Sequence, residues 1–185
     1  MANVNKIMKA SILTIVQMAV FAAIIAICAQ IQIPFVSGVP FTLQTTGVIL
    51  SGLVLGSKKG TLAVMVYIML GAVGVPVFAG FSGGLGIILA HTGGFILSFP
   101  ILAFMSGIAS TKKHLLLWPI FVTLGVIANL ALGMLWFGFV TGNTLPASFT
   151  MVVLPFLLTS LLQIVASISL GRSLRYAISK SRITI

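Results

Sequence analysis

Ten charged side chains occupy this 185-residue chain, every one of them basic, and they fall at only four places. Lys6 and Lys9 open the sequence, Lys58 and Lys59 follow, Lys112 and Lys113 come next, and Arg172, Arg175, Lys180 and Arg182 close it. Each of the three long uncharged intervals can hold two apolar helices of the roughly 20 residues that cross a bilayer. Lys and Arg collect on the cytoplasmic side of membrane proteins, so three helical hairpins account for every charge at once. The expectation is an all-α membrane protein. It is a six-transmembrane-helix bundle with cytoplasmic N- and C-termini and spans near 10–30, 42–56, 60–75, 92–110, 115–140 and 149–170. Residues 1–185 read as a single integral membrane domain with no soluble domain appended.

Hydrophobic residues make up 59% of the chain and charged residues 5%, with a mean hydropathy of +1.28, far from soluble globular usage. A net charge of +10 invites a nucleic-acid partner, but these cations flank apolar spans. They read instead as orientation signals and contacts for anionic lipid headgroups. The sequence contains no Asp or Glu. That excludes a carboxylate general base, a hard-cation cage and a carboxylate proton relay of the kind self-coupled transporters place in the membrane. Of the two histidines, His114 adjoins the Lys112–Lys113 pair and only His91 could take such a role. The single Cys28 has no intramolecular disulfide partner. An intramembrane enzyme would need a nucleophile with its base, or a metal cluster, and these scattered residues supply neither. No metal and no cofactor are expected, and any uphill transport takes its energy from a partner.

Along the chain, Ala19, Ala22, Ala23 and Ala26 fall at spacings of three and four on the first helix. Small faces let helices approach closely in lipid; this one either packs the bundle or docks a separate membrane subunit. The apolar segment IQIPFVSGVPF (31–41) is expected to lie in the membrane surface or to fold back over the bundle. In TLQTTG (42–47), the hydroxyls and Gln44 either cap a helix start or line a polar pocket on the outer side. Between residues 74 and 94, seven of the 19 glycines fall within 21 residues. Irregular backbone at membrane depth survives when it is buried in protein or lines a cavity, so this stretch reads as a Gly-rich re-entrant or pocket-lining segment on the outer side. Trp118 and Trp136 sit near opposite ends of the fifth helix, as interfacial anchors do. Asn129, near its middle, serves either a helix–helix hydrogen bond or a ligand. Ser160 and Gln163, three apart, share a face of the sixth helix.

Two segments, VPFTLQTTGVILSGLVLGSKKG (39–60) and GAVGVPVFAGFSGGLGIILAHTGG (71–94), resemble the BioY family. These are the biotin-specific S components of energy-coupling-factor transporters. The resemblance implies a six-helix protein of the prokaryotic cytoplasmic membrane that captures biotin from outside. It also implies assembly with a transmembrane coupling subunit and two ATPase subunits, which hydrolyse the ATP. Gln44 stands at the glutamine of the family's TLQ string, and Ser82 where some relatives have Asn. The family's Pro-Ser/Thr-Gly-Gly before helix 4 reads His91-Thr92-Gly93-Gly94 here, and Ile96 stands where some relatives carry Arg. The helix 6 pattern Phe-x-Pro-Gly-Asp-x-x-Lys has Ser160 at its Asp and Gln163 at its Lys. The alternatives are another small vitamin-like cargo, or a biotin-binding-impaired or sequence-edited relative.

For biotin, Gln44, Ser82, Ser160 and Gln163 supply donors and acceptors to the ureido ring. Phe41, Phe78 and Phe81 offer an apolar wall to the thioether ring. Gly83 and Gly84 let backbone approach the ligand; the carboxylate either meets helix N–H groups at Thr92 and Gly93 or stays in water. Asn129 completes the candidate set.

Overall fold

The computed structural model describes residues 2–111 and 116–180. Lys112, Lys113, His114 and Arg182, and the side chains of Lys6 and Lys9, lie outside the described part. Eight helices appear among the described residues: α1 (Ala2–Gln30), α2 (Gln44–Leu55), α3 (Ser57–Ala72), α4 (Leu85–Leu89), α5 (Gly93–Thr111), α6 (Leu117–Thr141), α7 (Leu145–Val152) and α8 (Phe156–Lys180). A two-stranded antiparallel ribbon, β1 (Gln32–Ile33) and β2 (Phe41–Thr42), joins α1 to α2.

Four helices are long and apolar enough to cross a membrane: α1 from Ile12, α5, α6 and α8. Their outer faces carry large exposed apolar side chains, such as Ile15 and Ile27 on α1, Leu135 and Phe139 on α6, and Leu158 and Leu162 on α8. Such surface is stable against hydrocarbon and not against water.

The short α2 has 12 residues, about 18 Å at 1.5 Å per residue, and it is the hub of the bundle. Helices α1, α3, α5 and α8 all pack on it, and Val48, Ile49, Ser51 and Leu53 are wholly enclosed. A helix wrapped by protein has no need to match the bilayer, because its end groups find partners inside the fold. Arg175 supplies one such partner. Its guanidinium donates to the carbonyls of Leu53 and Ser110, both at 3.0 Å, and lies 5.9 Å from the Trp118 ring centroid. One cation thus ties together the ends of α2 and α5 and the start of α6. Helix α5 packs backbone against backbone: a Cβ at Gly52 of α2 would collide with the Ala103 carbonyl, and one at Gly107 with the backbone of Ser57 at the start of α3.

The expected boundaries shift in several places. The first helix begins at Ala2 and not near 10. The third begins at Ser57, which puts Lys58 and Lys59 in its first turn and reduces the expected basic loop to Gly56, whose φ of +81° turns the chain between α2 and α3. The expected helix over 149–170 is two helices. Pro146 sits in the first turn of α7, a position that tolerates a missing N–H, and Pro155 ends the turn before α8. Helix α8 runs on to Lys180, so Arg172 and Arg175 are helical. Trp118 is buried beneath Arg175, and Trp136 is half-buried, donating to the Ala90 carbonyl at 2.9 Å. Trp118 is thus an interior residue, and Trp136 ties α6 to the glycine-rich segment.

Candidate functional site: a cavity at one end of the bundle

At the end away from Arg175, the helices leave a cavity of about 440 Å³. Its walls come from the ribbon and the start of α2, the 78–92 segment, and the facing surfaces of α5, α6 and α8. Two irregular segments close it. The ribbon pairs Gln32 with Thr42 and Ile33 with Phe41, and the turn between its strands is tied down where His91 Nε2 meets the Gly38 carbonyl at 3.0 Å. The glycine-rich segment is held by Gln30 at the end of α1. Gln30 Nε2 donates to the Phe78 carbonyl at 3.1 Å, and its Oε1 accepts from the Phe81 N–H at 2.8 Å. That second bond fixes Phe81 in the left-handed region, at φ +53°, a conformation costly for a side-chain-bearing residue.

Aromatic rings line one side. Phe41 lies 4.3 Å from Phe156, Phe35 meets Phe41 edge-on at 4.9 Å, and Phe95 stacks on Phe156 at 6.3 Å. These offset and edge geometries are the ones aromatic quadrupoles favour. Apolar side chains of Ile96, Phe99, Val126 and Leu130 continue the wall.

The polar groups are carboxamides and hydroxyls. Gln44, 5% exposed, donates from Nε2 to the hydroxyl of the enclosed Tyr67, which in turn donates to the Val77 carbonyl at 3.1 Å. Asn129, 4% exposed, donates from Nδ2 to the Phe95 carbonyl at 2.9 Å and to Ser98 Oγ at 2.7 Å. Gln163 donates from Nε2 to the Thr42 carbonyl at 2.7 Å, tying α8 to the ribbon. Ser160 departs from the habit of its helical neighbours. Ser98, Ser106 and Thr159 bond back to carbonyls three or four residues earlier, whereas the Ser160 hydroxyl makes no such bond and lines the cavity. No Lys or Arg is among the lining residues. A small-molecule site is of this kind: a largely apolar enclosure with a few placed polar groups.

Of the candidate residues, Phe41, Phe78, Gln44, Ser82, Thr92, Asn129, Ser160 and Gln163 come together around this cavity, from positions spread over most of the chain. Phe81, Gly83, Gly84 and Gly93 do not line it. The Phe81 ring is 73% exposed, directed outward by its left-handed backbone. A Cβ at Gly83 would press on the Val75 carbonyl, and one at Gly93 would overlap the Ile88 carbonyl, so both permit close chain packing. Gly84, at φ +95°, opens α4. The alanines divide: Ala22 is buried and Ala26 packs on the core, while Ala19 and Ala23 are exposed. Sequence reasoning missed Phe35, Phe95, Phe156 and Tyr67. Aromatic residues in apolar spans read as core, and only the polar handle of Tyr67 carried a signal, since a buried tyrosine hydroxyl needs partners.

Helices with lipid-type outer faces around an enclosed polar-dotted cavity define a multi-pass membrane protein that binds a small molecule. The chain belongs to the BioY family, whose profile matches residues 3–180. A probable biotin transporter BioY from Pyrococcus horikoshii is 38% identical over 168 residues, covering 91% of this chain and 98% of that protein. The biotin transporter BioY of Thermotoga maritima is 45% identical over 104 residues, 56% of this chain and 61% of the relative. Among solved structures, the S-component for biotin from an ECF-type ABC transporter superposes with a TM-score of 0.82 at 28% identity, covering 91% of this chain and 93% of that one.

Proposed function

We propose that this chain is the S component of an energy-coupling-factor importer and that its cavity receives biotin. It is a transport protein and not an enzyme. The observation that carries the reading is the largely apolar cavity of about 440 Å³, lined by no Lys or Arg, within the ~300–1,000 Å³ range of small-ligand sites, in a chain of this family. The aromatic wall of Phe41 and Phe156 suits the thioether ring. Gln44, Ser82, Asn129, Ser160 and Gln163 meet the ureido group, and Thr92 faces the carboxylate tail near the start of α5.

In this reading the chain is a single membrane domain crossing six times, with α2 as a short inner span and α3 as a short span that turns Leu62, Met65 and Met69 outward. The ends of α2, α5 and α8 that Arg175 joins face the cytoplasm of a prokaryotic cell, with both termini, and the cavity faces outward. The chain needs no cofactor. A transmembrane coupling subunit docks on the exposed small side chains of Ala19 and Ala23, and two ATPase subunits supply the energy. Equilibrium binding of labelled biotin to the purified protein tests the central statement: saturable 1:1 binding supports it, and its absence at millimolar biotin sinks it.

A further inference from the structure

The hydrogen-bond directions around the cavity orient its buried amides, Asn129 most firmly. The Phe95 carbonyl can only accept. Ser98 Oγ has already committed its hydrogen to the carbonyls of Gly94, at 2.8 Å, and Phe95, at 3.0 Å, so toward Asn129 it too can only accept. Both neighbours of the Asn129 amide end are therefore acceptors, and the group between them must be the NH₂. Asymmetric networks of this sort decide which way a carboxamide points. With both amide hydrogens engaged, the side-chain oxygen is all that Asn129 can offer a ligand, and among the described residues it accepts no hydrogen bond.

Gln44 is fixed by the same logic one step removed. The Tyr67 hydroxyl donates to the Val77 carbonyl and accepts from Gln44. That turns Gln44 Oε1 away, toward the cavity and a weak 3.5 Å approach from the Thr42 hydroxyl. Gln163 follows the pattern, its NH₂ held by the Thr42 carbonyl. The hydroxyl of Ser160 remains as a donor.

From this geometry we infer that Asn129 and Gln44 form a fixed acceptor wall that selects its cargo by ring N–H donors and not by charge. This deepens the biotin reading and rests on it. A ureido ring brings two N–H donors to the wall, and its carbonyl is left to Ser160. A ligand that presents oxygen lone pairs in their place meets two buried acceptors that cannot rotate, and an unpaired buried polar group is the strongest basis for rejecting an isostere. The carboxylate tail meets no Lys or Arg in the lining, and it contributes little to discrimination.

The experiment compares three ligands on the purified full chain: biotin, the cyclic carbonate analogue with both ring N–H groups replaced by oxygen, and biotin amide. The expected order is biotin and biotin amide equal, with the carbonate more than about 100-fold weaker. Equal binding of biotin and the carbonate overturns the acceptor wall, and a large loss for biotin amide shows that charge is read after all. Failure of biotin itself to bind overturns the functional reading instead. In Asn129→Leu the gap between biotin and carbonate should narrow. A merely structural defect would weaken both alike and refute the role of Asn129. Gln44→Leu makes the same measurement at the second acceptor should the first variant fail to fold.

Discussion

Replacing Tyr67 with Phe isolates one oxygen atom. The ring keeps its edge-on contact with Phe78, at 5.6 Å between centroids, so packing is preserved and only the hydroxyl between Gln44 and Val77 is lost. The two orphaned groups differ in consequence. The Val77 carbonyl also receives Gln30 Nε2 at 3.5 Å, so it keeps a partner within reach. The Gln44 amide is 5% exposed, and a buried donor without an acceptor costs about 1–3 kcal/mol. Gln44 escapes that cost by rotating, which moves its oxygen out of the cavity. Since about 1.4 kcal/mol is a factor of ten in affinity, Tyr67→Phe should weaken biotin binding roughly tenfold, measured by titration calorimetry on the purified protein. The double variant Tyr67→Phe with Gln44→Leu should bind no worse than Gln44→Leu alone, because both act through one amide. Unchanged affinity alongside a lowered melting temperature would refute the positioning role and leave Tyr67 as a stability residue.

Ser160→Asp together with Gln163→Lys should tighten biotin binding about tenfold, since hydrogen bonds to charged groups contribute about 1.5–3 kcal/mol against 0.5–1.5 for neutral ones. Ser160→Asp alone should weaken it by burying an unpaired charge, and a calorimetric series that finds no difference between the two variants removes helix α8 from the cargo site. Leu at Ala19 or Ala23, both exposed, should reduce cellular biotin uptake while leaving binding to the isolated chain intact; equal loss of both would mean that the face packs the bundle. Leu at the buried Ala22 should instead overpack the core and cost about 1–3 kcal/mol of stability. In a Cys28→Ala background, Cys at Val36, which is 99% exposed at the cavity end, should react with a membrane-impermeant thiol reagent in intact cells. Cys at Lys58 or Thr111 should react only after permeabilisation, and early labelling at either would invert the topology.

The mostly helical, membrane-type character was legible because its cause is simple: long apolar stretches in a chain of this composition have helices as their economical solution. Where the boundaries moved, a local device intervened that the hydropathy pattern does not register. A single glycine at 56 turns the chain without a loop, so Lys58 and Lys59 enter a helix. Arg175, legible only as an orientation signal, caps two helix ends instead. The glycine-rich stretch was recognisable as special, and its glycines divide between positive-φ turns at Gly74, Gly80 and Gly84 and close chain packing. Gly83 and Gly93 sit against backbone carbonyls, and the ring of Phe81 points outward.

Within the site, residue types were readable and their directions were not. Gln44, Asn129, Ser160 and Gln163 stand out because amides and hydroxyls inside apolar spans need partners. What each presents to a ligand depends on residues far away along the chain. Asn129 is oriented by Phe95 and Ser98, 34 and 31 residues earlier, and Gln163 by Thr42, 121 residues earlier. Gln44 is set by Tyr67, whose own direction is set by Val77. No sequence window contains such a chain of donors and acceptors. The same separation explains how a cavity lined by no Lys or Arg can still discriminate. Its selectivity resides in amides that other helices prevent from turning, so loss of a single oriented hydroxyl at Tyr67 should reach the cargo through Gln44.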